Sequence, residues 1–420
     1  MARTPRVLRP LRERDFALLF TGIAVSMIGD GITLVALAWQ VYDISNVPTA
    51  LSVVGLAWTV PMVGLLLFGG VLADRIPRRH LLIAADLIRA GSLAAIGVLS
   101  VTGALELWHV VVLVIPFGIG EALFGPAWEA TIPEVVPRPL LVQANSLNSL
   151  TEPISFRAAG PAIGGLLVAG VGPGVAFLID AASFLFSAGC ISLMRARPAV
   201  NPESGYSMRV EIAAGFRFVR SQPWLWASLA AAALGLLLYY GPLEVLLPYL
   251  VRNDLDAGAG GFGAILAATG IGAIVIAIVL GQRGLARNHV VVMYLSFAVG
   301  LGCLALYPLA GSLAVAMAIG AVEGFLFAIG DITWATMMQS HVPREMLGRV
   351  SAVDYLVSFG LVPVSFALAG PAAAVFGVEE TMIGAGVLAA LVFVSFLLVP
   401  GVREPERWAA EERPAEGVAP

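Results

Sequence analysis

Gly70-Val71-Leu72-Ala73-Asp74-Arg75-Ile76-Pro77-Arg78-Arg79 is a charged joint that closes one apolar run, 49–72, and precedes another, 81–102. Both runs are long enough to cross a bilayer as helices. Working outward, the same alternation of long apolar run and short polar joint fills the chain. Candidate spans fall at 16–41, 49–72, 81–102, 108–132, 148–170, 174–194, 224–250, 262–281, 290–309, 312–337, 352–375 and 381–400. The composition agrees: of 420 residues, 59% are hydrophobic and 12% charged, about half the ~25% of a soluble domain. A dozen spans of about 20 apolar residues leave no room for a sizeable soluble domain. The apolar run that follows the basic N-terminal arm is too long for a signal peptide and lacks a small-residue cleavage site, so it reads as an uncleaved first span.

The basic residues set the orientation. All 24 are arginine, and 21 of them lie in the two terminal segments and the joints after even-numbered spans. The joints after odd-numbered spans hold one, Arg252, while Arg89 and Arg157 lie inside spans. Because positive residues stay on the cytoplasmic side, both termini are expected in the cytoplasm, with an even number of spans. The longest joint divides the chain into a first half, 1–194, a connection, 195–223, a second half, 224–400, and a tail, 401–420. Glu211 to Arg220, with Arg209 beside it, carries arginines beside apolar side chains and is expected to form an amphipathic helix on the inner membrane surface that tethers the halves. The tail, rich in Glu, Arg and Ala, is expected to be mostly disordered.

An internal repeat supports the division. Val136-Pro137-Arg138 with Leu141 recurs 206 residues later as Val342-Pro343-Arg344 with Leu347, and the same offset places Trp128 on Trp334 and Gly118 on Gly324. The two halves therefore read as duplicated six-helix units, an arrangement in which a substrate site sits between the repeats near the bilayer midplane.

With these features in place, the 70–79 joint resembles the cytoplasmic signature loop of the major facilitator superfamily, with Pro77 where a second Gly is usual. Gly160-Pro161-Ala162-Ile163-Gly164-Gly165 resembles the core of that superfamily's antiporter motif. Gly29-Asp30, Ala85-Asp86-Leu87-Ile88-Arg89-Ala90, Ala144-Asn145-Ser146 and Asp180-Ala181-Ala182-Ser183-Phe184 are similar to its drug and siderophore exporters, among them the enterobactin, macrolide and mycobacterial Tap-type pumps. The resemblance implies an all-α membrane protein with twelve helices in two pseudo-symmetric bundles that exchange access to a central cleft. It also implies proton-driven export of amphipathic or hydrophobic small molecules. The partners would be that substrate, protons and the lipid bilayer, with the chain acting as a monomer in a bacterial inner membrane. A span-4 Arg common in proton-coupled members would fall at Val114, so a scheme resting on it does not transfer. A facilitator or flippase for lysolipids is the alternative reading of the same fold. An enzyme or sensor is disfavoured: no nucleophile triad, phosphate loop or metal cluster appears, and Cys190 and Cys303 are isolated in apolar runs. No cofactor and no nucleic-acid partner are expected.

A charge at the middle of a membrane helix costs about 2.5–3.5 kcal/mol on insertion scales, so each needs a reason. The resemblance makes spans 1, 4, 7 and 10 line the cleft, which would bring Asp30, Glu121 and Glu323 to one water-filled space where they exchange protons. Asp331 and Glu244 are further candidates. The plainer reading is that such acids fix helix register by hydrogen bonds. Arg157 cannot shed its charge, so it needs a partner, with Asp30, Glu121 and Glu152 available. The resemblance implies that Asp74, Arg75, Arg78 and Arg79, with Asp86, Arg89, Arg349 and Asp354, form a latch between the halves in the outward-open state, unless the arginines only set topology. Gly160-Pro161 and Gly370-Pro371 suit helices that bend, or that simply pack closely. Tyr239, Tyr240, Phe325, Trp128 and Trp334 are candidate pocket aromatics.

Overall fold

A computed structural model describes residues 6–195 and 208–406 of the chain. Twelve helices long and apolar enough to span a membrane run along it: Arg14–Ile44, Pro48–Leu65, Arg78–Val101, Leu107–Val135, Gln143–Val171, Pro173–Ser192, Pro223–Asn253, Gly258–Arg283, His289–Leu309, Leu313–His341, Glu345–Phe376 and Val378–Leu397. They are numbered here as spans 1 to 12. The helix of span 2 continues to Arg75, so the charged joint is shorter than the sequence suggests. No strand occurs among the described residues. Twelve such helices make the chain a multi-pass, helical membrane protein.

Spans 1–6 pack together as one bundle and spans 7–12 as a second. Because every span is apolar nearly all round, close approach of backbones, rather than an apolar stripe, sets the packing. A Cβ on Gly118 would stand 2.3 Å from the Trp58 carbonyl oxygen, joining spans 4 and 2. Its repeat partner Gly324 meets the Thr269 carbonyl in the same way, joining spans 10 and 8. The 206-residue offset therefore marks equivalent helix crossings in the two bundles.

The bundles meet chiefly through span 2 against span 11 and span 5 against span 8. Ser52 Oγ accepts from the Gly370 amide at 2.8 Å, and a Cβ on Gly263 would stand 2.3 Å from the Pro161 carbonyl oxygen. These contacts lie toward the end of the molecule remote from the termini. At the other end, the Arg14 guanidinium donates to the Leu193 carbonyl at 3.3 Å, and Gly401 packs against Pro223.

Two further segments pack on the second bundle. The connecting helix, Met208–Ser221, packs on spans 11 and 7 of the second bundle, with Gly215 against the Arg349 carbonyl. The start of the tail is folded: Val402 is buried, and the Glu406 carboxylate accepts from the amides of Val290 and Val291 at 2.9 and 3.1 Å. Those amides have no partner within their own helix, and an acid there also suits the positive end of the helix dipole. The tail beyond Glu406 lies outside the described residues.

Candidate functional site

Two stretches of π-helix interrupt the spans that flank the cleft. In span 5, Glu152–Ala159 is π-helical, and in span 7 so is Pro242–Leu246. A proline stands at the start of each, Pro153 and Pro242. Proline withholds its amide and crowds the carbonyl four residues back, which favours the wider turn. The consequence in span 5 is chemical. In an α-helix of 3.6 residues per turn, side chains five apart point away from each other, whereas an i→i+5 turn stacks them. Glu152 and Arg157 are five apart, and the guanidinium donates from Nη2 and Nε to Glu152 Oε1 at 2.9 and 3.1 Å. The pair is open to solvent, with side-chain exposures of 42% for Arg157 and 53% for Glu152.

From the second bundle, Tyr240, Glu244 and Asp331 all lie within electrostatic reach of this arginine. Asp331 is exposed and Glu244 partly so, although both belong to spans. On the termini side of the cluster, Tyr355 is 43% exposed, its ring centre lies 4.8 Å from that of Phe359 at a tilt of 32°, and it faces Glu121, Glu129 and Glu152 of the first bundle. Phe359 in turn touches Tyr240 at 6.1 Å. The space between the bundles is thus a solvent-accessible cleft with Arg157 at its head and aromatic and acidic side chains below it, open toward the end that carries the termini.

Within the first bundle a second polar cluster is mostly buried. Arg89 donates to Asp86 at 2.6 Å, its guanidinium held between the rings of Phe124 and Phe184 at 4.4 and 4.2 Å. Asp180, fully buried, accepts from Thr33 and, at 2.8 Å, from Ser183. Gly29 is where Asp180 fits: a Cβ there would lie 1.9 Å from Asp180 Oδ1. Asp30, partly exposed, reaches this group electrostatically, and Glu121 at its edge accepts from the Trp58 indole at 2.8 Å. Glu323 is buried, although Arg157 and Glu244 lie within its electrostatic reach. It is 1% exposed inside the second bundle, where Tyr239 and Tyr307 each donate a hydroxyl to one of its carboxylate oxygens.

A model of the transmembrane secretion effectors within the major facilitator superfamily matches residues 6–417. The chain belongs to that family. It is accordingly a transporter and not an enzyme. The multidrug efflux pump Tap of Mycolicibacterium fortuitum is 29% identical to it over 391 residues, covering 90% of this chain and 93% of the pump. The enterobactin exporter EntS of Shigella boydii is 28% identical over 357 residues, 80% of each. Among solved structures, a bacterial homolog of the human lysosomal transporter Spinster, inward-facing and unoccupied, superposes with a TM-score of 0.66 at 14% identity over 97% of this chain and 99% of that one.

In this secretion effector the residues singled out from sequence do not share one cavity. Asp30 borders the first-bundle cluster, Glu121 at its edge also faces Tyr355 of the cleft, Glu323 is sealed in the second bundle, and Arg157, Glu244 and Asp331 gather at the cleft. The expectation that all three mid-span acids line the cleft fails for Glu323, because both of its oxygens face tyrosines of its own bundle. Asp86 and Arg89 belong to the buried cluster with Asp30. Arg78 pairs with Glu134 at 2.7 Å and donates to the Ala130 carbonyl, and Arg79 donates to the carbonyls of Ile191 and Ser192, so both bind the first bundle to itself. Asp354 accepts from the Trp334 indole at 2.9 Å and from Ser358 at 3.1 Å within span 11 and its neighbour, while Arg349 lies where the connecting helix docks. The side chains of Asp74 and Arg75 lie outside those described.

Of the aromatics, Tyr240 reaches the cleft, Tyr239 holds Glu323, Phe325 is half-buried where span 10 crosses span 8, and Trp128 is packed into the first-bundle core beside Leu147. Gly160 crosses Gly31 of span 1, and Gly370 crosses Thr49 of span 2. The breaks in the helices lie nearby rather than at the Gly-Pro pairs: the π-helix stops at Gly160, and span 11 is interrupted at Gly360-Leu361. Sequence reading passed over Tyr355, Tyr307 and the role of Asp180. Only Asp180 carried a signal, a lone acid within span 6. Among the described residues no group of His, Cys, Asp and Glu is placed to hold a metal ion.

Proposed function

We propose that this transporter exports amphipathic or hydrophobic small molecules across a bacterial inner membrane in exchange for protons, by alternating access. The arginine asymmetry supports cytoplasmic termini, and the cleft opening then faces the cytoplasm, where cargo enters. One observation carries the reading. Arg157 pairs with one acid of its own bundle, Glu152, and lies within electrostatic reach of three on the opposite one, Glu244, Asp331 and the buried Glu323. An arginine between bundles that rock cannot serve all of these acids equally in both states. Proton affinity of a carboxylate depends strongly on a cation within ~4–6 Å, so an acid that loses Arg157 takes up a proton and one that gains it releases its own. Asp30 and Glu121, at the edge of the first-bundle cluster, and Glu323 in the second bundle are secondary proton sites in this scheme. Tyr240, Tyr355 and Phe359 supply flat apolar surface for the cargo, and the surrounding acids attract any cationic or polar part of it. The monomer, carrying its own cleft, is the working unit.

The test is transport by purified protein in proteoliposomes with an imposed pH gradient. The reading expects a cationic dye such as ethidium to drive proton movement in the opposite direction. Dye movement without proton movement counts against antiport. Gradient-independent transfer of a fluorescent lysolipid, with no dye transport, favours the lipid facilitator instead.

A further inference from the structure

Glu129 is exposed although it belongs to span 4, and among the described residues it makes no hydrogen bond and no ion pair. It lies six residues, about 9 Å, before the end of that helix at Val135. Glu121, Gly125 and Glu129 recur every four residues along one continuous α-helix, so they share a face. A Cβ on Gly125 would meet nothing within 4 Å, so the middle of that face borders open space. The 206-residue offset of the repeat carries Gly125 onto Asp331, Glu129 onto Ala335 and Val135 onto His341, all within the continuous helix of span 10. Asp331 and Ala335 are exposed. Because Asp331 borders the cleft from the second bundle, the equivalent face of span 4 borders it from the first.

Opposite this face, span 11 presents rings. Tyr355 and Phe359 are four residues apart in the helix Arg344–Phe359, with ring centres 4.8 Å apart. The Tyr240 ring of span 7 follows 6.1 Å beyond Phe359 and lies within electrostatic reach of Arg157. Three rings therefore step from the open end of the cleft toward its arginine. Tyr355, the outermost, lies within reach of both Glu129 and Glu121. Asp331 is ten residues, about 15 Å, from the end of its helix at His341. Glu129 is thus about one turn nearer the opening than the acid that Arg157 reaches in span 10, and a molecule entering meets it first. Ring faces attract positive charge, as does a carboxylate with no partner of its own. An anion gains less here, because Arg157 is already paired with Glu152.

We propose that Glu129 and the rings of Tyr355 and Phe359 form an entry subsite at the mouth of the cleft that selects flat organic cations, with Glu129 setting the charge preference and taking no part in proton coupling. The inference deepens the proposed function: it rests on the cleft being the path of the cargo, but not on antiport. It commits the cargo to a positive charge on or beside an aromatic face, and it excludes an anionic siderophore-like metabolite. A single solvent-open carboxylate changes an affinity by only about two- to fivefold. That is enough to rank cargoes at the entrance without holding them there.

Titration of the full-length protein in detergent with ethidium, a flat permanent cation, and with fluorescein, a flat anion, tests this by fluorescence. Glu129→Gln is expected to weaken ethidium binding about two- to fivefold, and Tyr355→Leu by a similar factor, while Glu129→Asp stays near the native value. The Glu129→Gln deficit is expected to be full at about 0.01 M salt and to shrink at about 1 M, which a merely structural defect would not do. Fluorescein is expected to bind more weakly than ethidium to the native protein and to lose nothing in Glu129→Gln. Ethidium binding that is the same in the native protein and in Glu129→Gln overturns the proposal, and so does a deficit that is equal for the two dyes or indifferent to salt. In proteoliposomes, Glu129→Gln is expected to raise KM for ethidium by the same factor with kcat and proton movement unchanged. Proton movement lost from that variant overturns the assignment of Glu129 as a selector. If ethidium binding follows Glu129 while the dye moves without protons, the subsite stands and antiport falls. If transport is proton-coupled but binding ignores Glu129, the reverse holds.

Discussion

Arg89 shows how a charge is carried inside a membrane bundle. It has one carboxylate, two aromatic faces and almost no water, while its Nε and Asp86 Oδ2 have no hydrogen-bond partner. Such a pair is held together more by the cost of separating its members than by its net gain. Arg89→Met is therefore expected to destabilise the protein by about 3–5 kcal/mol, because Asp86 is left as a buried acid without a cation. Adding Asp86→Asn is expected to recover much of that loss, as read by thermal unfolding in detergent. Asp331 predicts the opposite outcome. It is exposed in the cleft, so Asp331→Asn is expected to leave thermal stability within about 0.5 kcal/mol while lowering pH-driven export roughly tenfold or more, measured as initial rates in proteoliposomes. Sequence reading identified the charged residues but not their company, and span 10 shows why. Glu323 and Asp331 lie eight residues apart, about 12 Å along a helix. One ends between two tyrosines and the other within electrostatic reach of Arg157. A helix apolar on all sides carries no stripe that fixes its rotation, so which acid faces the cleft is decided by neighbouring spans.

At the scale of elements, the local irregularities were the least legible feature. Gly-Pro pairs mark spans 5 and 11, yet the π-turn lies before Gly160 and the span 11 break lies ten residues ahead of Gly370. Pro153 and Pro242 were the informative residues, since each opens a π-segment that aims charged side chains at the cleft. What the glycines do is let backbones touch across the bundle interface. Gly263 offers a direct test: any side chain there meets the Pro161 carbonyl and Gly165. Gly263→Leu is expected to insert normally but to force spans 5 and 8 apart, at a cost of about 1–3 kcal/mol. Export should fall severely while membrane expression holds. Normal export by that variant would show that the span 5–span 8 contact is not used in the cycle.

The whole molecule was the most legible level. Alternating arginine-rich and arginine-poor joints set an even number of spans, and the repeat of Val136-Pro137-Arg138 at Val342-Pro343-Arg344 set two halves. Both survive in the structure because they reflect topology, which hydropathy and charge encode directly. The cleft between the halves is a property of assembly and needs all twelve helices in place. The proposed transport depends on Arg157, which pairs with Glu152 and lies within electrostatic reach of acids of the opposite bundle. The most direct test is proton release from purified protein in weakly buffered detergent, followed with a pH-sensitive dye as cargo such as ethidium is added. The account predicts release on binding that falls by about half or more in Asp331→Asn and Glu244→Gln. Binding of the same cargo with no proton release, in the unmutated protein and at every pH between about 5 and 8 where such coupling is expected, would contradict it.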